Sequence, residues 1–397
     1  MSPNVTGDWP GASYEERQWD PALDVRDSFG PHRASPGPYR ATVPPLIAQA
    51  EVSLSSAVQA IAIDATAELV RFDAEFGRRD PALPSLLLHA EAAASSAIER
   101  VTSPAISVIL AELDDVRDPS ASQIISHIRA LDFALGYVGP LSQDFVVQIQ
   151  RTLMATTRPE RRGRWRDQQV WIGGGALGPQ RASFVPPHQS RVAELMADLL
   201  QFATRTDIPS LAQVAIAHAQ YETIHPFLEV NGRTGRVFMQ SMLRRTDITR
   251  SLVVPVSAGL LQDTAAYFDA LTKYRAGRVD ALVEAFSTAV FTAVANAREL
   301  VDDLVAIREA REARATSRQG SGARRLMPVL ETRPVMTSRI AVEHLGVTAP
   351  NAQLAIDRLT EDGILVQHGE SRRNRVWVAP DVLEVLDAFA ERARRRR

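Results

Sequence analysis

The sequence predicts a mainly α-helical protein, a helical bundle carrying one β-hairpin flap, followed by a small C-terminal module in which helices precede two strands. Three observations carry this. Apolar and small residues recur at three- and four-residue intervals through most of residues 45–314, the spacing of helices with one face buried. A Gly- and Pro-punctuated stretch with strand-like flanks interrupts them between Gln169 and Pro187. After a polar, glycine-containing break at 315–325 the order becomes helix, turn, helix, strand, strand.

In chain order, residues 1–44 are rich in Pro, Gly, Ser and charge and lack periodicity, which predicts an extended arm. Residues 45–120 form a first helical region, where IAQAEVSLSSAVQAIAIDATAELVRF and LPSLLLHAEAAASSAIERV repeat at helical spacing. A second block, 121–314, contains FVVQIQRTLMATT, the flap, VAELMADLLQFATR, LAQVAIAHAQYETI and the run after Asn231. Residues 315–325 read as a linker. Residues 326–397 place a turn at Gly346 between two helices, the second over 349–361, and then two strands with a polar tip. That is the order of a winged helix-turn-helix, with Arg372, Arg373 and Arg375 in the wing.

At 397 residues the chain is long enough for two or three domains. Its net charge of -2 makes no global case for nucleic acid or membrane binding. From residue 324 onward 13 arginines face 10 acids, so a DNA partner for the C-terminal module and a use in homodimerisation or domain packing both stay open. No cysteine is present, which removes disulfides, zinc–thiolate sites and thiol nucleophiles. The start, MSPNVTGDWPGASYEERQWD, lacks the basic and apolar pattern of a secretory signal, and no uncharged apolar run reaches the roughly 18–20 residues of a membrane span, so the expectation is a cytoplasmic protein with no membrane partner.

The chemistry concentrates in HPFLEVNGRTGR, residues 225–236. Pro226 disfavours helical backbone at His225, so the preceding helix should stop there and leave the imidazole at the lip of a loop. Asn231-Gly232 turns the chain into a new helix, whose first amides and dipole attract anions. Arg233 and Arg236, three residues apart, add planar cations suited to phosphate oxygens. Glu229 offers a hard oxygen to magnesium, and His225 can accept a proton from a hydroxyl.

These residues resemble the Fic family, whose motif HxFx(D/E)GNGRxxR is read here as His225, Phe227, Glu229, Val230, Asn231, Gly232, Arg233 and Arg236. The resemblance implies a Fic-fold protein adenylyltransferase that moves AMP from ATP to a Ser, Thr or Tyr hydroxyl of a target protein, itself included. It implies His225 as catalytic base and Glu229 as the Mg²⁺ ligand. Asn231, Gly232, Arg233, Arg236 and the amide at Val230 would bind the nucleotide. Val230 departs from the family glycine; valine still supplies an amide, but positive φ there is strongly disfavoured for a β-branched residue. A contrasting reading is a DNA-binding regulator whose core has lost activity at Val230 and serves as a nucleotide sensor.

The family also carries (S/T)xxxE(G/N) on a helix before the core, matched by Ser95 and Glu99 in SSAIER, with Arg100 in place of Gly or Asn. The resemblance implies an inhibitory pair of Glu99 with Arg236; were the pair buried, its loss would be worth roughly 3–5 kcal/mol. Glu99 could equally activate water for AMP removal. Finally, the family's hairpin flap aligns an extended target segment, and Val170, Trp171, Ile172, Gly173, Phe184 and Val185 are the matching flap residues here.

Overall fold

The computed structural model describes residues 9–20, 36–113, 118–369 and 375–395. They fall into two compact units, one of Met1–Ala67, Arg129–Ile248 and Asp263–Thr288, the other of Glu68–Ile128, Thr249–Gln262 and Ala289–Arg397. Each is assembled from stretches distant in sequence, so the contiguous segments expected from the sequence do not coincide with the units.

The first unit is built around the Ser210–Ile224 helix, in which every residue from Leu211 onward is buried. A helix with no solvent face must bond its polar side chains internally. Gln213 donates to the carbonyls of Phe202 and Arg205 at 2.9 and 2.8 Å. Gln220 donates to Pro45 O at 2.8 Å and accepts from the Tyr274 hydroxyl at 2.9 Å. His218 bonds Tyr267, as described below. The Asn231–Arg245 helix follows after a six-residue turn, and the Gln143–Leu153 and Val192–Ala203 helices complete the surroundings of the pair. Ser142 caps the former through the Phe145 amide at 3.2 Å, as a short oxygen-bearing side chain does at a helix start.

The arm expected over 1–44 contains an antiparallel ladder. Ser13–Trp19 pairs with Gly37–Val43, Ser13 opposite Val43 and Trp19 opposite Gly37. Trp19, Tyr39 and Ala41 form a small apolar cluster with Trp171 and Val185 of the flap. Sequence reasoning missed these strands because their outward positions carry charge, as in SYEERQW, and only one side packs on protein.

The second unit contains the Leu83–Ile98 helix, a short Ala105–Glu112 helix and the C-terminal module. In the module a three-stranded antiparallel sheet has Val376–Val378 between Val335–Thr337 and Val366–His368. Helices Ser338–Leu345 and Ala349–Glu361 are joined through Gly346, which takes φ +65° as the left-handed stop that glycine permits. Leu330, Met336, Ile340, Ile356, Leu359 and Trp377 fill its core. The break at 315–325 is fastened to the module, since Thr316 bonds Asp362 at 2.6 Å and Arg325 bonds Leu345 O at 3.1 Å. Arg372 and Arg373 lie outside the described residues; Arg375 places its guanidinium 4.9 Å from the Trp377 ring.

Among the described residues one helix, Val279–Arg314, is long and apolar enough to cross a membrane by length and composition. Its most apolar window is 56% buried inside the protein, which is how a core helix passes that test.

Candidate active site

The first helix of the central pair ends at Ile224, two residues before Pro226, as the sequence predicts. His225 closes it through its amide to Tyr221 O at 2.9 Å and takes φ +51°, ψ +62°. Histidine is among the few side chains enriched in this left-handed region. Phe227 drives into the core, fully buried, with its ring 4.8 Å from that of Trp165. The side-chain amide of Asn231 then clamps the turn, accepting from Phe227 N and donating to Phe227 O, both at 2.8 Å. Asn231 is buried with its polar atoms directed at the loop's own backbone, a placement that its expected role toward the nucleotide did not anticipate.

Val230 settles the question its sequence raises: it sits at φ +59°, ψ +27°. The position needs the left-handed conformation, and valine adopts it against a penalty of about 1–2 kcal/mol. Its carbonyl accepts from both the amide and the hydroxyl of Thr234, at 2.9 and 2.8 Å, so the helix begins directly at this residue.

Around this backbone the side chains are arranged by burial. His225 keeps 18% of its side chain exposed at the rim, with Nδ1 4.0 Å from Glu222 Oε2. Arg233 and Arg236 are buried in the first turns of the following helix, and Gly232 is half-buried. Gly235 permits the two helices to approach, because a Cβ there would lie 2.7 Å from Glu222 Oε1 and from the Tyr221 ring. His218 Nε2 is 2.8 Å from the Tyr267 hydroxyl and Nδ1 is 3.2 Å from Gly235 O. Complete burial, with Arg236 nearby, pushes the His218 imidazole down to about 3, so it is neutral. The carbonyl can only accept, so the proton sits on Nδ1 and Tyr267 donates to Nε2.

Three arginines outside the HPFLEVNGRTGR stretch belong to this loop. Arg166 is buried and donates to His225 O at 2.8 Å, Gln168 O at 3.1 Å, Ile224 O at 3.4 Å and Pro187 O. Arg161 and Arg158 both pair with Glu229 Oε1, the latter at 3.2 Å. Burial separates Arg166 and Arg161 from Arg164, which is exposed beside Asp167, and the sequence alone does not carry that signal.

The flap is narrower than a hairpin of full strands, with a single antiparallel bridge between Ile172 and Phe184 and two 3-10 turns between them. Val170, Trp171 and Val185 are buried, Ile172 is 44% exposed, and Arg275 lies over the Phe184 ring at 4.2 Å. Gly173 needs its φ of +76°. The Val185 carbonyl accepts from Thr42 N at 3.0 Å, so that part of the flap edge already has a strand beside it.

In the second unit, Ser95 is buried on the Leu83–Ile98 helix and Glu99 is its C-terminal cap residue. Arg100 N donates to Ala97 O at 2.9 Å and Val101 N to Ser96 O at 3.0 Å, the paired closure of a left-handed helix stop, with Arg100 at φ +63°. The helix stop that Gly or Asn would make most easily is here made by arginine. Glu99 is exposed, which corrects the buried-pair energy scale set by the sequence.

Residues 140–243 match the Fic/DOC family profile. The chain is 28% identical over 130 residues to the protein adenylyltransferase Fic of Drosophila erecta, a match covering 30% of this chain and 24% of that protein. The protein of the same name from Drosophila willistoni is 27% identical over 130 residues. The match thus spans about a quarter of the length of these curated relatives. A crystal structure of a Fic family protein from Desulfovibrio desulfuricans G20 shares the fold, with a TM-score of 0.53 at 20% identity, covering 83% of this chain and 98% of that one. The clamped turn between two buried helices lies inside the matched span, and residues 140–243 of this chain constitute a Fic/DOC family domain.

Proposed function

We propose that the protein is an adenylyltransferase that uses ATP to place AMP on a hydroxyl of a protein. The observation that carries this is the turn from His225 to Asn231, which sets an imidazole at a solvent rim and opens directly into a helix start with two buried arginines. The imidazole takes the proton of the target hydroxyl, whose oxygen forms a bond to the α-phosphorus; the α–β phosphoanhydride bond breaks and pyrophosphate leaves. The opening amides of the Asn231–Arg245 helix, Gly232 included, with Arg233 and Arg236, offset the charge of the phosphates. Asn231 serves by holding the loop in shape. The flap backbone near Ile172 and Gly173 presents the target segment.

No group of three or more acidic, His or Cys ligands occurs among the described residues. That fits magnesium, which takes one or two carboxylates and completes its shell with water and phosphate oxygens. Glu229 would hold it, and when bound it would neutralise charge on the phosphates. The regulatory part of the proposal is that Glu99, steadied by Ser95, pairs with Arg236 and restrains the γ-phosphate. The C-terminal module is proposed as a winged helix whose Ala349–Glu361 helix meets DNA or another protein.

The test is automodification with α-³²P-ATP and magnesium. Glu99→Gly is expected to raise incorporation about tenfold over wild type, a scale of about 1.4 kcal/mol fitting an exposed carboxylate, and His225→Ala in that background to abolish it. Incorporation that survives His225→Ala, or none in any form with added lysate proteins, overturns the reading.

A further inference from the structure

We propose that Arg161, seconded by Arg158, is a latch on the Glu229 carboxylate, which a divalent cation must displace before the loop admits a metal-bound nucleotide. The inference rests on the adenylyltransferase reading and adds to it a control point on the metal side. Both guanidinium groups converge on one oxygen, Oε1 of Glu229. Two positive charges around that oxygen occupy the electrostatic position a hard cation would otherwise take, and a lone pair given to an N–H is not available to a metal.

The latch is held from behind. Gln150, buried on the Gln143–Leu153 helix, donates to Arg161 O at 3.2 Å and accepts from Gly163 N at 2.6 Å. The backbone from Arg161 to Gly163 is thereby pinned to a helix, and Arg162 Nε adds a bond to Thr157 O at 3.2 Å. Arg158, just before Pro159, lies at φ +35°, ψ +73°, a left-handed conformation uncommon for arginine that turns its side chain into the same approach. The pair is neither fully buried nor exposed, with side-chain exposures of 12% for Arg161 and 31% for Glu229. A contact in that range can hold a carboxylate and still yield to a divalent ion. Glu160 stands ready as an alternative acceptor, its Oε1 4.0 Å from Arg161 Nε. The released planar forks suit phosphate oxygens.

The experiment titrates Mn²⁺, followed by its paramagnetic resonance signal, into the full-length protein with α,β-methylene-ATP, which cannot transfer AMP. Bound Mn²⁺ is counted beyond that held by the free nucleotide. Arg161→Gln is expected to tighten Mn²⁺ binding about fivefold and the Arg158→Gln/Arg161→Gln double variant about tenfold. Glu229→Gln should abolish it in either background. Should Arg161→Gln fail to fold, Arg161→Lys keeps the charge and stem, loses the fork, and is expected to shift affinity in the same direction by a smaller factor. Unchanged or weaker Mn²⁺ binding in the arginine variants, with Glu229→Gln still abolishing it, overturns the latch and leaves the nucleotide site standing. No protein-dependent Mn²⁺ binding in any form overturns both.

Discussion

Val230 is a β-branched residue in left-handed backbone at the entry to a helix, and its neighbours hold it there. The Asn231 clamp on one side and the Thr234 bonds on the other fix the turn whatever side chain stands between them. Val230→Gly should relieve about 1–2 kcal/mol of backbone strain and give back about 0.5–1 kcal/mol through the freer unfolded chain. The net expectation is a stabilisation of about 0.5–1 kcal/mol in urea unfolding, with the fold unchanged. A loss of more than about 1 kcal/mol would mean that the isopropyl group contributes packing worth more than the strain. His225 and Arg100, also at positive φ, make the same point. The sequence tells where the chain must turn, and here it does not use the residue that turns most easily.

Helices are where the sequence was most readable. The helix end before Pro226, the Ala349–Glu361 helix and the stop at Gly346 fall where spacing and breakers put them. The Ser13–Trp19 ladder was not readable, because four consecutive polar residues, Glu15 to Gln18, separate its two aromatics and leave no alternating strand pattern. Nor were the contacts of Arg161 and Arg166, since one arginine run contains an exposed member, a carboxylate partner and a buried backbone clamp. His218 shows how helices of the first unit are tied, standing between Tyr267 and the carbonyl of Gly235. Its imidazole titrates at about 3 when folded and near 6.5 when unfolded. Between those values the unfolded chain binds a proton that the folded one does not. Stability is therefore intact above about pH 6.5 and falls as pH drops toward 3, by about 1.4 kcal/mol per pH unit in the steep part. His218→Gln should flatten that slope between pH 6 and 4 in denaturant titrations, whatever its effect at neutral pH; an identical slope would show that His218 is not the group responsible.

Across the full chain, the Leu83–Ile98 helix and the C-terminal module belong to one compact unit although more than 220 residues of sequence separate them. The Pro380–Arg394 helix makes that union. Asp387 accepts from the amide of Ala105 at 3.0 Å, at the start of the Ala105–Glu112 helix. Arg392 bonds Asn296 at 2.7 Å, and Phe389 is 1% exposed. The helix bearing Ser95 and Glu99 thus shares a core with the end of the chain, which the expected separation of an N-terminal region from a distant C-terminal domain did not foresee. Phe389→Ala should cost about 3–5 kcal/mol of this unit's stability. Hydrogen exchange ought to show protection lost together in the Leu83–Ile98 helix and the C-terminal module; loss confined to the module would separate them.

The two hydrogen bonds between Asn231 and Phe227 close a small ring of covalent and polar links through the turn. The ring makes that turn a template cast during folding, so under the proposed function an incoming anion would meet amides already aimed and would not have to organise them. Freezing the segment is then charged to the folding equilibrium, and binding can be fast as well as tight.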